Sequence, residues 1–224
     1  MMTTLFGAAE IVRPEDVIPH LAKGRGDWKK GYSAYELAHS WVLAGDVPQR
    51  VRAVLDGDPT FRDAAPIEGP FERKVDLGTP GRPSQTDLLL LMKLHGGYGV
   101  IAIEGKVEEP FGPLVADWND GSCGRVRRLA RLCETLGLAP DDVSHLRYQL
   151  LHRTASAVYE ARRYHCQQAV MLVHSFSRTG ASFDHFADFA AAMNLPPVRP
   201  DQISPPKVCE GVQLRLAWVA DLPS

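Results

Sequence analysis

The sequence predicts an α/β (α+β) domain in which a central mixed β-sheet is flanked by helices. Within residues 81–107, two apolar runs of strand length are joined by consecutive glycines, which indicates an antiparallel hairpin. A third apolar run, at 169–176, follows a long amphipathic segment at 145–164. A strand, a helix and another strand in this order predict a right-handed crossover to a parallel strand. With a further strand predicted at 71–77, the sheet is expected to contain a three-stranded meander plus one parallel crossover strand.

The composition is typical of a soluble globular protein with one substantial core, since 45% of its 224 residues are hydrophobic and 23% are charged. We expect a single domain over 1–224, with a helical N-terminal elaboration at about 1–57. The net charge of -2 gives no global basic field of the kind that attracts nucleic acid nonspecifically. Four cysteines without metal or disulfide spacing, and no leader or membrane-length apolar run, predict a cytoplasmic protein with no membrane partner.

Several helices and loops are predicted in the N-terminal part. A short helix is expected near 15–23, and a longer one begins at Ser33 and ends at Gly45. A further helix is expected over about 48–55. Residues 57–70 are rich in glycine, proline and aspartate, and are therefore predicted to form a loop before the first strand.

The C-terminal half alternates helices with strands. The segment 108–124 carries aromatic and turn-forming residues and is predicted to be a long connection beside the hairpin. A basic helix is expected over 125–136, and another helix begins at Ser182. The alternating segment 212–219 predicts a final strand at an edge of the sheet.

Charged side chains lie at one end of the predicted hairpin. Strand alternation places Glu104 and Lys106 on the same face, and antiparallel pairing brings Asp87 beside them. Two carboxylates supply the hard oxygen ligands that Mg²⁺ and Mn²⁺ prefer, and such a metal can activate a water for attack on a phosphoryl group. A neighbouring ammonium can orient that water or stabilise the developing charge. The alternative is a surface hairpin with an ordinary ion pair at its rim.

The segments Ser-Gln-Thr-Asp87 and Ile-Ala-Ile-Glu104-Gly-Lys106 resemble the signature of the PD-(D/E)xK nuclease-like superfamily, which spans restriction endonucleases, resolvases and repair nucleases. Thr86 precedes the aspartate, so the literal Pro-Asp pair is absent. The resemblance implies a restriction-endonuclease-like fold and metal-dependent phosphodiester hydrolysis, with DNA as substrate and Mg²⁺ or Mn²⁺ as cofactor. It also implies that Asp87, Glu104 and the Gly105 carbonyl hold the metal, while Lys106 positions the attacking water.

Two further residues enter through the same resemblance. Gln149 resembles a glutamine that orients the metal-bound water in related nucleases, and Arg153, one helical turn on, is a candidate for binding a phosphate oxygen. The alternative is an amphipathic helix whose polar side faces solvent. Glu36 is a candidate for a further metal ligand, but it also completes a capping box with Ser33, which explains it without catalysis.

Three more residues are candidates for phosphate contacts. Arg125 and Arg128 belong to the basic helix, which otherwise forms a solvated face, and His174 ends the crossover strand, where a packed histidine is the alternative. Taken together, these residues predict a metal-dependent phosphodiester hydrolase, and the resemblance implies that it is a DNA nuclease. The alternatives are a catalytically silent binding or regulatory protein on the same fold, and a metal-dependent hydrolase of a small phosphorylated molecule. The oligomeric state stays open, and a homodimer is compatible with the sequence.

Overall fold

An eight-stranded mixed sheet forms the centre of the protein in a computed structural model that describes residues 10–223. Its strands vary from two residues to eleven, and the longest pair forms the predicted hairpin. The strands are β1 (Ala65–Glu68), β2 (Phe71–Val75), β3 (Ser84–Leu94), β4 (Gly97–Lys106), β5 (Gln168–Ser175), β6 (Gln202–Ile203), β7 (Lys207–Cys209) and β8 (Val212–Ala220).

Helices cover both faces of this sheet, as the sequence predicted. The α-helices are α1 (Ser33–Ala44), α2 (Gln49–Leu55), α3 (Val115–Trp118), α4 (Cys123–Leu136), α5 (Tyr148–Arg163) and α6 (Phe183–Ala192). Short 3-10 helices occur at Pro14–His20, Gly24–Gly26 and Pro140–Asp142, and the first lies where a short helix was predicted near 15–23. The predicted N-terminal elaboration also includes residues 1–9, which lie outside the described residues, as does Ser224.

The predicted meander is confirmed, because β2, β3 and β4 pair antiparallel in sequence order. Leu94 pairs with Gly97, so the hairpin turn consists of His95 and Gly96 rather than of the two glycines. The prediction of a continuous loop over 57–70 is wrong, because β1 also pairs with β3, along its C-terminal half. A four-residue strand that contains a proline is difficult to recognise in a sequence, since proline is confined to edge strands and bulges.

The predicted crossover is confirmed as well, since β5 lies parallel to β4. The prediction that the last strand lies at an edge is wrong. β8 runs parallel to β5 on one side, and the short strands β6 and β7 pair with its other side. Arg215 made the sequence of β8 alternate between apolar and polar residues, as in a strand with one exposed face. In the structure its guanidinium is buried, and its Nε donates to Asp58 Oδ2 at 2.6 Å.

The two faces of the hairpin enter different hydrophobic cores. Leu89 and Ala102 pack with α4, α5 and α6, whereas Leu88 and Ile103 pack with α1, α2 and the N-terminal segment. Alternation therefore assigns Asp87, Glu104 and Lys106 to the face covered by α5. No helix within residues 10–223 has the length and apolar character needed to cross a bilayer.

The beginning of α1 differs from the predicted capping box. Its N-cap is Tyr32, and Ser33 is already the first helical residue. Glu36 Oε1 instead accepts a hydrogen bond of 2.8 Å from the backbone N–H of Gly31. The predicted C-terminus is confirmed, because Gly45 ends the helix with φ of 61°, a conformation that glycine adopts readily.

Candidate active site

The structure brings the predicted acidic pair together at the open end of the hairpin. Leu88 pairs with Ile103, so the next positions along the strands, Asp87 and Glu104, lie side by side. The backbone N–H of Gly105 donates to Asp87 Oδ2 at 3.0 Å. Lys106 Nζ donates to Glu104 Oε1 at 2.6 Å. The three side chains therefore converge on one face of the sheet, as strand pairing and alternation predicted.

Helix α5 completes the cluster from above. Gln149 Nε2 donates to Glu104 Oε1 at 2.6 Å, and Arg153 Nε donates to Glu104 Oε2 at 2.5 Å. Arg153 Nη2 also lies 3.5 Å from Asp87 Oδ1, so its guanidinium bridges the two carboxylates. The two α5 residues act together because side chains four positions apart lie on the same face of a helix.

Burial distinguishes the two carboxylates. The side chain of Glu104 is 3% exposed and accepts hydrogen bonds at both oxygens, whereas that of Asp87 is 21% exposed. Glu104 is therefore held on all sides by protein donors. Asp87 is the member of the pair that is more open to a ligand from solvent.

Charge and burial shift the pKa values of these acids in opposite directions. Burial, reinforced by the negative charge of Glu104, raises the pKa of Asp87 well above its usual range. Burial alone would raise the pKa of Glu104, but Arg153 and Lys106 outweigh it, so that this pKa is lowered. Burial also raises the pKa of Glu72 to about 7. Glu104 therefore ionises readily, whereas Asp87 and Glu72 keep their protons to higher pH than free carboxylic acids do.

Glu72 is a member of this site that the sequence analysis missed. Phe71 pairs with Leu88 and Arg73 with Thr86, which places Glu72 level with Asp87 on the adjacent strand. Its φ of 55° is left-handed, and its carboxylate accepts a hydrogen bond from Gln85. The predicted meander contained the necessary signal, but the register between its first two strands was not available from the pattern.

The residues present fit a divalent metal with few protein ligands. Asp87 and Glu104 supply carboxylate oxygens, and Gly105 directs its carbonyl toward β3, since the N–H and C=O of one strand residue point to the same neighbour. Within residues 10–223, no cluster of three or more His, Cys, Asp or Glu side chains has the geometry of a metal site. Mg²⁺ commonly binds through one or two carboxylates and keeps several waters, so two acids are sufficient.

Glu36 is not brought into a three-acid cluster with Asp87 and Glu104. It lies on α1, which packs against the opposite face of the sheet, and it is buried there with Gly31 as one partner. The expectation that it supplies a further metal ligand is therefore wrong. Glu36 instead accepts a hydrogen bond from the backbone N–H of Gly31, just before the helix, which agrees in part with the alternative that it serves to cap the helix.

His174 is likewise separated from the cluster. It is in register with Gly105, but its side chain points to the α1 face, where Trp41 Nε1 donates to its Nδ1 at 3.1 Å. Its Nε2 lies 3.2 Å from Asp221 Oδ2, and the residue is 0% exposed. Burial lowers its pKa. The expectation of a phosphate contact is wrong, because a fully enclosed imidazole cannot reach a ligand in solvent.

Arg125 and Arg128 border a cavity of about 640 Å³ that adjoins the acidic cluster. This arginine cavity lies between residues 80–85, which lead into β3, and the N-terminal turn of α4, with the stacked rings of Trp118 and Tyr148 in its wall. Arg153 lines it from the side of the carboxylates. Arg128 is buried, contrary to the expectation of a solvated helix face, and its Nε donates to Tyr148 Oη at 2.7 Å.

Ser84 and His152 connect the arginine cavity with the acidic cluster. Ser84 Oγ lies 2.9 Å from His152 Nδ1 and accepts a hydrogen bond of 3.3 Å from Arg153 Nη1. Burial and then the charges of Arg153, Arg128 and Lys106 lower the pKa of His152 well below its usual value. Ser84 carried no recognisable signal in the sequence, because a serine at the start of a strand has no spacing that marks it.

Comparison with known proteins gives one family. A family model described as a domain of unknown function, DUF6946, matches residues 10–223. No curated protein and no solved structure matches the chain. Because the match extends over all of the structurally described residues, the chain belongs to the DUF6946 family.

Proposed function

We propose that this protein is a metal-dependent phosphodiester hydrolase, with DNA as its substrate, and that its fold is of the restriction-endonuclease-like type. The observation that carries the proposal is the convergence of Asp87, Glu104 and Lys106 on one face at the end of the hairpin. The resemblance of these segments to the PD-(D/E)xK signature supports it. An antiparallel meander followed by a parallel crossover strand supports it as well.

In the proposed enzyme, Asp87, Glu104 and the Gly105 carbonyl would hold Mg²⁺ or Mn²⁺. The metal would supply a water of lowered pKa and would offset negative charge at the phosphoryl group. The donor set suits a cation, because the raised pKa of Asp87 reflects burial and the negative charge of the neighbouring Glu104. A divalent ion beside these oxygens would allow both acids to ionise.

Lys106 and Gln149 are proposed to position the attacking water. The Lys106 ammonium is buried and is held between Glu104 Oε1, at 2.6 Å, and the ring of Phe111, whose centroid lies 5.0 Å away. Gln149 Nε2 meets the same carboxylate oxygen at 2.6 Å. These contacts fix both donors next to the acid pair, where they can orient a water and stabilise charge in the transition state.

The second candidate is a catalytically silent binding protein on the same fold. The observation that favours it is the guanidinium of Arg153, which contacts both carboxylates and thereby occupies the space between them. In this case Arg153 and Lys106 serve as permanent counter-ions, and no metal binds. The two candidates therefore differ in a property that can be measured directly.

The test combines metal binding with cleavage. Mn²⁺ and Mg²⁺ are titrated by calorimetry, and cleavage is followed on plasmid, single-stranded DNA and nucleotides. The nuclease predicts metal binding and metal-dependent cleavage that falls at least 100-fold in Lys106→Met, which keeps the apolar stem. Lys93→Met, at an exposed lysine of β3, is the matched control. The absence of metal binding and cleavage supports the silent protein, and turnover of nucleotides alone supports a small-molecule hydrolase.

A further inference from the structure

Arg128 is a buried cation without a counter-ion. The residue is 8% exposed, and its Nε donates to Tyr148 Oη at 2.7 Å. Within residues 10–223, neither Nη1 nor Nη2 has a hydrogen-bond partner, and no carboxylate lies within ion-pair distance of the guanidinium. Most of this side chain is buried, and a guanidinium whose two terminal nitrogens have no protein acceptor favours an anion beside them.

The terminal nitrogens of Arg128 border the arginine cavity, whose remaining charge is positive. In the described part of the chain, four arginines line this cavity and none of its lining side chains is acidic. The charge of Arg153 is balanced by Glu104, and that of Arg125 is met at the surface by Asp120. The charges of Arg82 and Arg128 are left without such partners among residues 10–223.

The N-terminus of α4 adds backbone donors to the same cavity. Ser122 and Gly124 belong to the lining, and the first hydrogen bond of the helix runs from Val126 N–H to the Ser122 carbonyl. The preceding N–H groups of this 14-residue helix therefore have no intrahelical acceptor, and its first turn contains no acidic residue. Free N–H groups and the helix dipole favour an anion at this position.

We propose that the arginine cavity binds a phosphate group of the substrate, with the two terminal nitrogens of Arg128 and the first N–H groups of α4 as donors. Planar guanidinium nitrogens are suited to paired phosphate oxygens. That this phosphate belongs to the substrate rests on the proposed function, since Arg153 and Ser84 contribute to both the cavity and the acidic cluster. The phosphate can come from a nucleic-acid strand or from a free nucleotide.

Binding is measured on the full chain in EDTA and chloride buffer, so that the result does not depend on metal or catalysis. Inorganic phosphate, a nucleoside monophosphate, and an oligonucleotide with or without a terminal phosphate are titrated by calorimetry. Arg128→Gln is expected to weaken the affinity for phosphate-bearing ligands by about 10- to 100-fold, the effect of losing a charged hydrogen-bond donor. Arg127→Gln, the adjacent and exposed arginine of α4, is expected to bind within twofold of the wild type.

A second pair of variants keeps the test decisive if Arg128→Gln fails to fold. A Cβ at Gly124 would meet no atom within 4 Å apart from the neighbouring backbone of its own helix, so both Gly124→Asp and Gly124→Ala fit the site. The aspartate is expected to abolish phosphate binding by repulsion, and the alanine to retain it. Equal affinity in Gly124→Asp and Gly124→Ala, or no binding of any phosphate-bearing ligand by the wild type at millimolar concentration, overturns the inference.

The outcomes separate this inference from the proposed function. Phosphate binding in EDTA that depends on Arg128, together with an absence of cleavage in Mn²⁺, supports the phosphate site in the cavity and refutes the proposed nuclease activity. Cleavage without Arg128-dependent phosphate binding refutes the phosphate site in the cavity and leaves the proposed nuclease activity standing. Tighter binding of the oligonucleotide identifies a strand as the source of the phosphate, whereas equal binding of the mononucleotide identifies a small molecule.

Discussion

Arg153 and Glu104 form a buried ion pair between α5 and β4, with Nε 2.5 Å from Oε2. The same guanidinium approaches Asp87 Oδ1 at 3.5 Å and donates to Ser84 Oγ at 3.3 Å. One side chain of α5 thus links β3, β4 and the border of the arginine cavity. The position of this helix over the sheet therefore depends on charge as well as on apolar packing.

Removal of this cation is expected to destabilise the fold. Arg153→Gln leaves Glu104 and Asp87 buried with less compensation, and the free energy of unfolding in metal-free buffer at pH 8 should fall by about 3–5 kcal/mol. Urea denaturation measures the change. Arg163→Gln, at an arginine of the same helix whose side chain is 61% exposed, should change stability by less than about 1 kcal/mol. Equal effects in both variants would contradict a structural role for the bridging guanidinium.

The raised pKa of Glu72 predicts that a neutral residue at this position stabilises the fold more at high pH than at low pH. The folded state holds this proton up to about pH 7, whereas the unfolded state loses it near the ordinary glutamate pKa of 4.5. The contribution of Glu72 to stability therefore decreases as pH rises through this window. Relative to wild type, Glu72→Gln should be more stable at pH 8 than at pH 5 by roughly 1–3 kcal/mol, after allowance for partial exposure. Urea denaturation at the two pH values checks the sign, and a difference that does not change with pH would contradict it.

Metal addition should stabilise the protein if the proposed function is correct. At a Mn²⁺ concentration 100 times its dissociation constant, the free energy of unfolding should rise by about 2.7 kcal/mol, and EDTA should reverse the change. Asp87→Asn should lose this effect, although its side-chain oxygen can still accept the hydrogen bond from Gly105. Differential scanning calorimetry with and without Mn²⁺ measures both. An identical metal-induced shift in Asp87→Asn would place the metal elsewhere.

Two glycines of β4 are expected to differ in their tolerance of a methyl group. A Cβ on Gly99 would lie 2.9 Å from Leu94 Cδ1 and 3.3 Å from Gln168 Cβ and carbonyl oxygen, so Gly99→Ala should destabilise by about 1–3 kcal/mol. A Cβ on Gly105 would meet Leu37 and the Ser33 carbonyl at 3.4 Å, close to ordinary contact. Gly105→Ala should therefore have the smaller effect. Thermal unfolding of the two variants compares them directly, and the reverse order would contradict these contacts.

The sequence was most informative where local periodicity and pairing geometry act together. The alternation of apolar residues gave the faces of β3 and β4, and antiparallel pairing brought Asp87 beside Glu104 and Lys106, although the turn lies one residue earlier than the two glycines predicted. The direction of β5 followed from the intervening helix. Gln149 was singled out through the family resemblance alone, and the structure places its side chain against Glu104.

Contacts that depend on tertiary packing could not be obtained in this way. To predict which face of the sheet His174 lies on, one must know which residues of β5 point to which face. Because β5 is apolar and buried on both faces, its sequence does not show this. The bridging role of Arg153 and the burial of Arg128 depend on how α4 and α5 approach the sheet. The position of the Glu72 side chain depends on a left-handed backbone conformation within β2, which a glutamate in the sequence does not indicate.

The interior place of β8 has a consequence for biosynthesis. β5 is apolar on both faces, and one of its edges pairs with β8, which is translated well after it. Until residues 212–220 leave the ribosome, that edge has no native partner and is open to pairing with other nascent chains. Cells that produce the protein rapidly should therefore accumulate aggregates, and a chain that stops before β8 should be recovered only from the insoluble fraction.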